Sequence, residues 1–201
     1  MEANNKKFEL TDETMEWNDH TLHRIKAAKD FYVPNYGLIK KDTLGGWVES
    51  EKNLSQNEGC WIFHDAKVYG GNAKVYGDAF ITGCAKVYDS AKVFGEAYVH
   101  GDSEICGNAE IRGYAEIFDA IVRNNADYIV FKNHFSSGRY FTWTKSNDMW
   151  IAGCFHGNDN ELIAKAYADS LRKGEYYKAY VDFKNSLLKL DEKYGKVDKN
   201  F

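Results

Sequence analysis

Six histidines and four cysteines are the side chains from which nucleophilic, acid–base or metal chemistry would have to be built in this 201-residue chain. Cys60, Cys84, Cys106 and Cys154 form no C-x-x-C pair and match no zinc spacing. They read as reduced thiols of a cytoplasmic protein, since disulfides belong to oxidising compartments. Cys154 and His156 stand two apart, which on a strand puts thiol and imidazole on one face. An edge-strand pair without chemistry is the simpler reading. His20 and His23 sit three apart, so on a strand their rings face opposite ways. No phosphate-binding loop and no G-x-S-x-G motif occurs. The formal net charge of −4 demands neither nucleic acid nor a membrane surface as partner.

Two further chemical candidates, His64 and His100, lie inside a repeat, and the repeat decides where they point. From Ile62 the chain reads IFHDAK, VYGGNAK, VYGDAF, ITGCAK, VYDSAK, VFGEAY, VHGDSE, ICGNAE, IRGYAE, IFDA. The aliphatic residue recurs every six positions from Ile62 to Ile117, with one step of seven where Gly70-Gly71 adds a residue. A small residue precedes each later aliphatic by two, from Ala66 through Ser103 to Ala115. In a strand, residues two apart share a face, so Ala and Val of A-K-V-Y point one way and Lys and Tyr the other. The G-D and G-N dipeptides supply the bends. A period of six does not fit a helix, and one unit alone cannot bury its apolar face; stacked units can.

This pattern resembles the hexapeptide-repeat proteins. The resemblance implies a left-handed parallel β-helix in which three units make one triangular coil. Here an aromatic, Thr or His usually follows the aliphatic and Gly comes one later. That variant resembles the repeats of poorly characterised phage and prophage proteins, as does the lead-in LGGWVESEKNLS. The expected fold is therefore mainly β: a short parallel β-helix with an N-terminal β cap and a C-terminal α+β module. With three units per coil, the outward residues sort into columns. One carries Phe63, Thr82, His100 and Phe118, flanked by Lys67, Lys86 and Glu104. A second carries Tyr69, Tyr88 and Cys106, flanked by Lys74, Lys92 and Glu110. A third carries Tyr76, Phe94 and Arg112, flanked by Phe80, Tyr98 and Glu116. Tyr76, Phe80, Phe94 and Tyr98 make an aromatic patch of the kind that marks an interface or is covered by a neighbouring segment. Tyr69, Tyr88, Lys74 and Lys92 extend the candidate binding set.

About ten units make little more than three coils, and so short a solenoid needs capped ends. Residues 1–59 read as the N-terminal cap, with Asn18-Asp19 turning a hairpin. Gly45-Gly46-Trp47-Val48 leads into the first coil, with Leu54 as a degenerate aliphatic position. Residues 60–123 are the repeat, whose register breaks after Ile117. Residues 124–201 read as an α+β module with strands around Ser146-Asn147 and two helices. The first helix is expected from Glu161 to Lys173, capped by Asp159 or Asn160 and stopped by Gly174. The tail from Asp191 is expected to be loose.

The family resemblance implies one enzymatic candidate. Hexapeptide β-helices often belong to acyltransferases in which a histidine acts as base between trimer subunits, and His100 is the residue placed for it, with Asp102 and Glu104 nearby. The family's zinc hydratases use three histidines, and the repeat holds two in unlike positions, so no metal and no cofactor is expected. Against the acyltransferase stands the lack of loop insertions for holding an acyl carrier. The favoured expectation is a non-enzymatic, phage-derived binding or assembly protein in the host cytoplasm, for instance an anti-CRISPR-like inhibitor of a bacterial defence complex. Its partner would be a protein or a second or third copy of itself. Nucleic acid is disfavoured because the acidic end of the repeat repels a polyanion, and no apolar run is long enough for a membrane.

Overall fold

The structure is a computed structural model of the chain, and it describes residues 6–194. It is a β-solenoid of about four turns with a sheet-and-helix module at its C-terminal end. Each turn after the first is three two- or three-residue strands. Their parallel stacking forms three faces, with Val68, Val87 and Ile105, for example, in register down one of them. The inward aliphatics and the Ala or Ser two before them are essentially inaccessible to solvent. Alternation within each strand thus builds a core of Val, Ile and Ala that runs the length of the prism.

The N-terminal hairpin forms as expected. β1 (Phe8–Trp17) and β2 (His20–Ala27) pair antiparallel, and Asn18 and Asp19 take the left-handed angles that a two-residue turn requires. β2 then pairs with β5 (Leu44–Val48), which starts the first coil and lies parallel to Lys67–Val68. The hairpin therefore extends one face of the prism, called here the hairpin face. A second small hairpin, β3 (Phe31–Val33) and β4 (Gly37–Ile39), was not expected from the sequence. Phe8 and Phe31 pack their rings on Trp61 and plug the first coil.

Because β5, Leu54 and Trp61–Ile62 complete a coil of their own, the solenoid is one turn longer than the repeat alone indicates. The seven-residue step is absorbed at a corner. Buried Asn53 donates to the carbonyls of Gly70 (3.0 Å) and Ala73 (2.9 Å) and accepts from the Ser50 amide (2.8 Å). The register break after Ile117 is one missing residue only: Ala120 and Val122 return to the core and Ile121–Val122 pairs with Glu104–Ile105.

The last coil is closed by side chains of the module. Thr142 accepts from the Glu116 amide, Ser146 from the Ile121 amide, and Asn147 donates to the carbonyls of Phe118 and Asp119. These are the edge groups that would otherwise recruit another strand. The module itself is a four-stranded antiparallel sheet, Tyr128–Lys132, Tyr140–Thr144, Met149–Ala152 and Phe155–Gly157, packed on α1 (Asp159–Asp169) and α2 (Leu171–Tyr194). Asn158, not Asp159 or Asn160, caps α1, in a reciprocal box with Glu161. Gly174 does not stop the first helix. It lies inside α2, where a Cβ would run into the Tyr167 ring, so its role is close approach of the two helices. The expected loose tail is helical as far as Tyr194, and its remainder lies outside the described residues. Among the described residues no helix is long and apolar enough to cross a membrane.

Candidate binding cleft

Strand, corner, strand is the order that fixes which outward residues meet. The residues on either side of each aliphatic belong to one strand and hence one face, and the Gly-Asp or Gly-Glu dipeptide is the prism corner. This regroups the expected columns. Phe80, Tyr98 and Glu116 share a face with Phe63, Thr82, His100 and Phe118. Tyr76 and Phe94 lie on the preceding face with Lys74, Lys92 and Glu110. The aromatic patch is therefore divided by the corners at Gly77 and Gly95. Tyr76 and Phe94 stack on each other, with ring centroids 4.8 Å apart and planes at 4°. Phe80 and Tyr98 form a separate, tilted pair at 5.0 Å.

The remaining binding candidates are dispersed. Tyr69 is only 4% exposed, beneath the hairpin among Leu22, Trp47 and His20, so it is part of a small core rather than a free ring. Tyr88 stacks on it at 5.2 Å, and burial followed by the Cys106 thiol pushes its hydroxyl well above the ordinary value. Lys92 pairs with Glu110 (2.9 Å), which raises the lysine and lowers the carboxyl. Lys74 is exposed on the same face.

His100 is mostly covered, with 15% of its side chain exposed. Its ring lies flat on Tyr98, 4.1 Å away with planes at 1°, and Phe118 packs at 4.8 Å. Its buried Nε2 makes no hydrogen bond, although Glu116 Oε1 is 3.2 Å away. The sequence neighbours do not orient it. Glu104 is on the hairpin face bound to Lys86 (2.8 Å), and the Asp102 amide donates to Asp119. A general base needs a nitrogen within reach of a substrate proton, and this Nε2 has no such access. Cys154 sits in the turn before Phe155–Gly157, not on the strand with His156, so that pair shares no strand face; His156 packs on Phe118 instead. Among the described residues no cluster of three metal-ligating side chains occurs.

What converges instead is a cleft of about 570 Å³ on the face of Phe80 and Tyr98. Phe80, Thr82, Tyr98 and Glu116 form its floor. The β3–β4 loop, Pro34, Asn35 and Tyr36, overhangs one side, and the corner residues Asp78, Glu96 and Tyr114 form the other. Tyr36 packs against Phe63 (4.3 Å) and Phe80 (5.4 Å). His64 stands at the rim with Nδ1 held by the Thr82 hydroxyl at 2.8 Å. Burial and the Glu116 carboxylate raise the Tyr98 hydroxyl, and Glu96 raises that of Tyr114. The sequence could not show this site. Its lining comes from a loop some 30 residues before the repeat and from four successive coils.

No family model matches the chain. Over 81 residues, 39% of its length, it is 27% identical to the uncharacterized acetyltransferase YdcK of Escherichia coli strain K12. The matched stretch spans 25% of that relative, so the chain covers about a quarter of its length. Distant similarity and coil geometry together fit a hexapeptide-repeat β-helix.

Proposed function

We propose that this chain is a non-enzymatic binding and assembly protein that meets a protein partner through the cleft face of its solenoid. The observation that carries this reading is the pairing of a ring-stacked His100, its Nε2 buried, with an open cleft of aromatic and acidic side chains. An acyl carrier brings phosphates, and no Lys or Arg lines the cleft to meet them. Rigid coils closed at both ends make a fixed platform. The resemblance to phage and prophage repeats supports the narrower proposal that the partner is a bacterial defence complex in the host cytoplasm. A second copy of the chain is the competing partner, and the half-buried Tyr76–Phe94 stack is where such a contact would form.

The distant acetyltransferase supports a second reading, a degenerate acyltransferase using His100. Calorimetric titration with acetyl-CoA separates the two. The binding reading expects no saturable heat and no product. A saturable isotherm with turnover lost in His100→Ala would replace it by the enzymatic one. Sedimentation velocity, repeated on Phe94→Ser, identifies self-association: a dimer or trimer that dissociates in the variant makes the partner another copy of this chain.

A further inference from the structure

The charged columns of the prism follow one rule on two faces and break it on the third. On the hairpin face Lys86 of one coil pairs with Glu104 of the next, at 2.8 Å. On the neighbouring face Lys92 pairs with Glu110, at 2.9 Å. Glu116 occupies the equivalent position on the cleft face, but Tyr98 stands in the lysine's place and Phe80 below it. The column's cation has been replaced by ring faces. The cleft's carboxylates meet other groups instead. Asp78 accepts from the Gly59 amide (2.9 Å) and feels the Lys7 charge, Glu96 raises the Tyr114 hydroxyl, and Glu116 Oε1 is 3.2 Å from His100 Nε2. Among the described residues no Lys or Arg forms an ion pair with any of the three.

We propose that the cleft takes a guanidinium, presented as an arginine side chain by a basic segment of the partner protein. This rests on the binding reading above. Ring faces attract a cation through their quadrupole, and a planar guanidinium can stack on Tyr98 or Phe80 while its edge donates to Glu96 and Glu116. A volume of about 570 Å³ is ample for such a side chain and falls within the usual range for ligand pockets, roughly 300–1,000 Å³. The cation gives Glu116 a permanently charged partner like the lysines that its counterparts Glu104 and Glu110 already have.

Calorimetric titration with hexa-arginine, hexa-lysine and free spermidine tests this. Three proteins are compared: wild type, the cleft variant Glu96→Gln/Glu116→Gln, and the hairpin variant Glu13→Gln/Glu16→Gln, which changes net charge equally. Hexa-arginine is expected to bind wild type more tightly than hexa-lysine, to lose at least tenfold in the cleft variant, and to change less than twofold in the hairpin variant. Tyr98→Leu should weaken it severalfold, whereas Tyr98→Phe, which keeps the ring, should not. Equal losses in both double variants would overturn the proposal, as would absence of wild-type binding. Tightest binding by spermidine would assign the cleft to a free polyamine and overturn the peptide occupant. Once a partner is in hand, undiminished capture by the cleft variant would refute the arginine site and leave the binding reading standing.

Discussion

Replacing one glycine at a time along a single corner of the prism should produce a graded loss of stability that only stacked coils explain. Gly77, Gly95 and Gly113 occupy one corner in successive coils, all with positive φ. A Cβ added at Gly95 would lie 2.9 Å from the Gly113 amide nitrogen, with nothing flexible to yield. A Cβ at Gly113 meets nothing within 4 Å, because no coil lies above that corner. Gly71 is equally open and its φ is not positive, so it is the control. Left-handed backbone costs a residue with a Cβ about 1–2 kcal/mol. Forcing backbone apart adds a further 1–3 kcal/mol, roughly, as overpacking does. Gly71→Ala should then be near neutral, Gly113→Ala should cost about 1.5 kcal/mol, and Gly95→Ala about 3–4 kcal/mol. Equilibrium urea unfolding followed by far-UV circular dichroism gives the three values. In thermal melts each kcal/mol should appear as about 2–4 °C. The argument fails if Gly95→Ala costs no more than Gly113→Ala, for the coils would then not be in contact at that corner.

Other outcomes follow from the same geometry. Asn53→Ala leaves two corner carbonyls without their buried donor and should cost about 2 kcal/mol in urea unfolding. Lys184 is 2% exposed, 2.9 Å from Asp159 and over the Trp143 ring; Lys184→Met should cost about 3 kcal/mol and loosen the module, read by near-UV signals of Trp143 and Trp150. Burial alone would push the Asp159 carboxyl up, but Lys184, Trp150 and Asn185 donate to it and hold it below the ordinary carboxylate value. A depressed carboxyl contributes stability above its unfolded pKa of about 4 and loses it as pH falls through the folded one, so the module should weaken below about pH 4 and Lys184→Met should flatten that acid step. His100→Phe should keep the ring stack and stay within about 1 kcal/mol of wild type in urea unfolding, a volume-tolerant exchange.

Much of the architecture was readable because it rests on local chemistry. The spacing of Ala and Val along one strand defines an inward side without any knowledge of the coil above, and Asn18-Asp19 announces its turn by the angles those residues tolerate. A period, however, has no origin. Six-residue recurrence does not say which two positions turn the corner, so Tyr76 and Phe80 looked like neighbours on a face when a corner separates them. Gly174 illustrates a different blind spot: a glycine that ends a helix and one that lets two helices touch look alike until Tyr167 is seen beside it. The cleft was hidden for a third reason. Tyr36 reaches Phe63 and Phe80 only because the small β3–β4 hairpin folds back over the coils.

Identical inward side chains give the growing chain no means of telling one turn from the next, and a segment that docked a full turn early would find an equally good apolar seat. The charged columns do not supply the missing address, because Lys67 and Lys74 already lie under Lys86 and Lys92, and a skipped turn would still set lysine against glutamate. The oversized corner governed by Asn53 does supply it, since it fits at a single level.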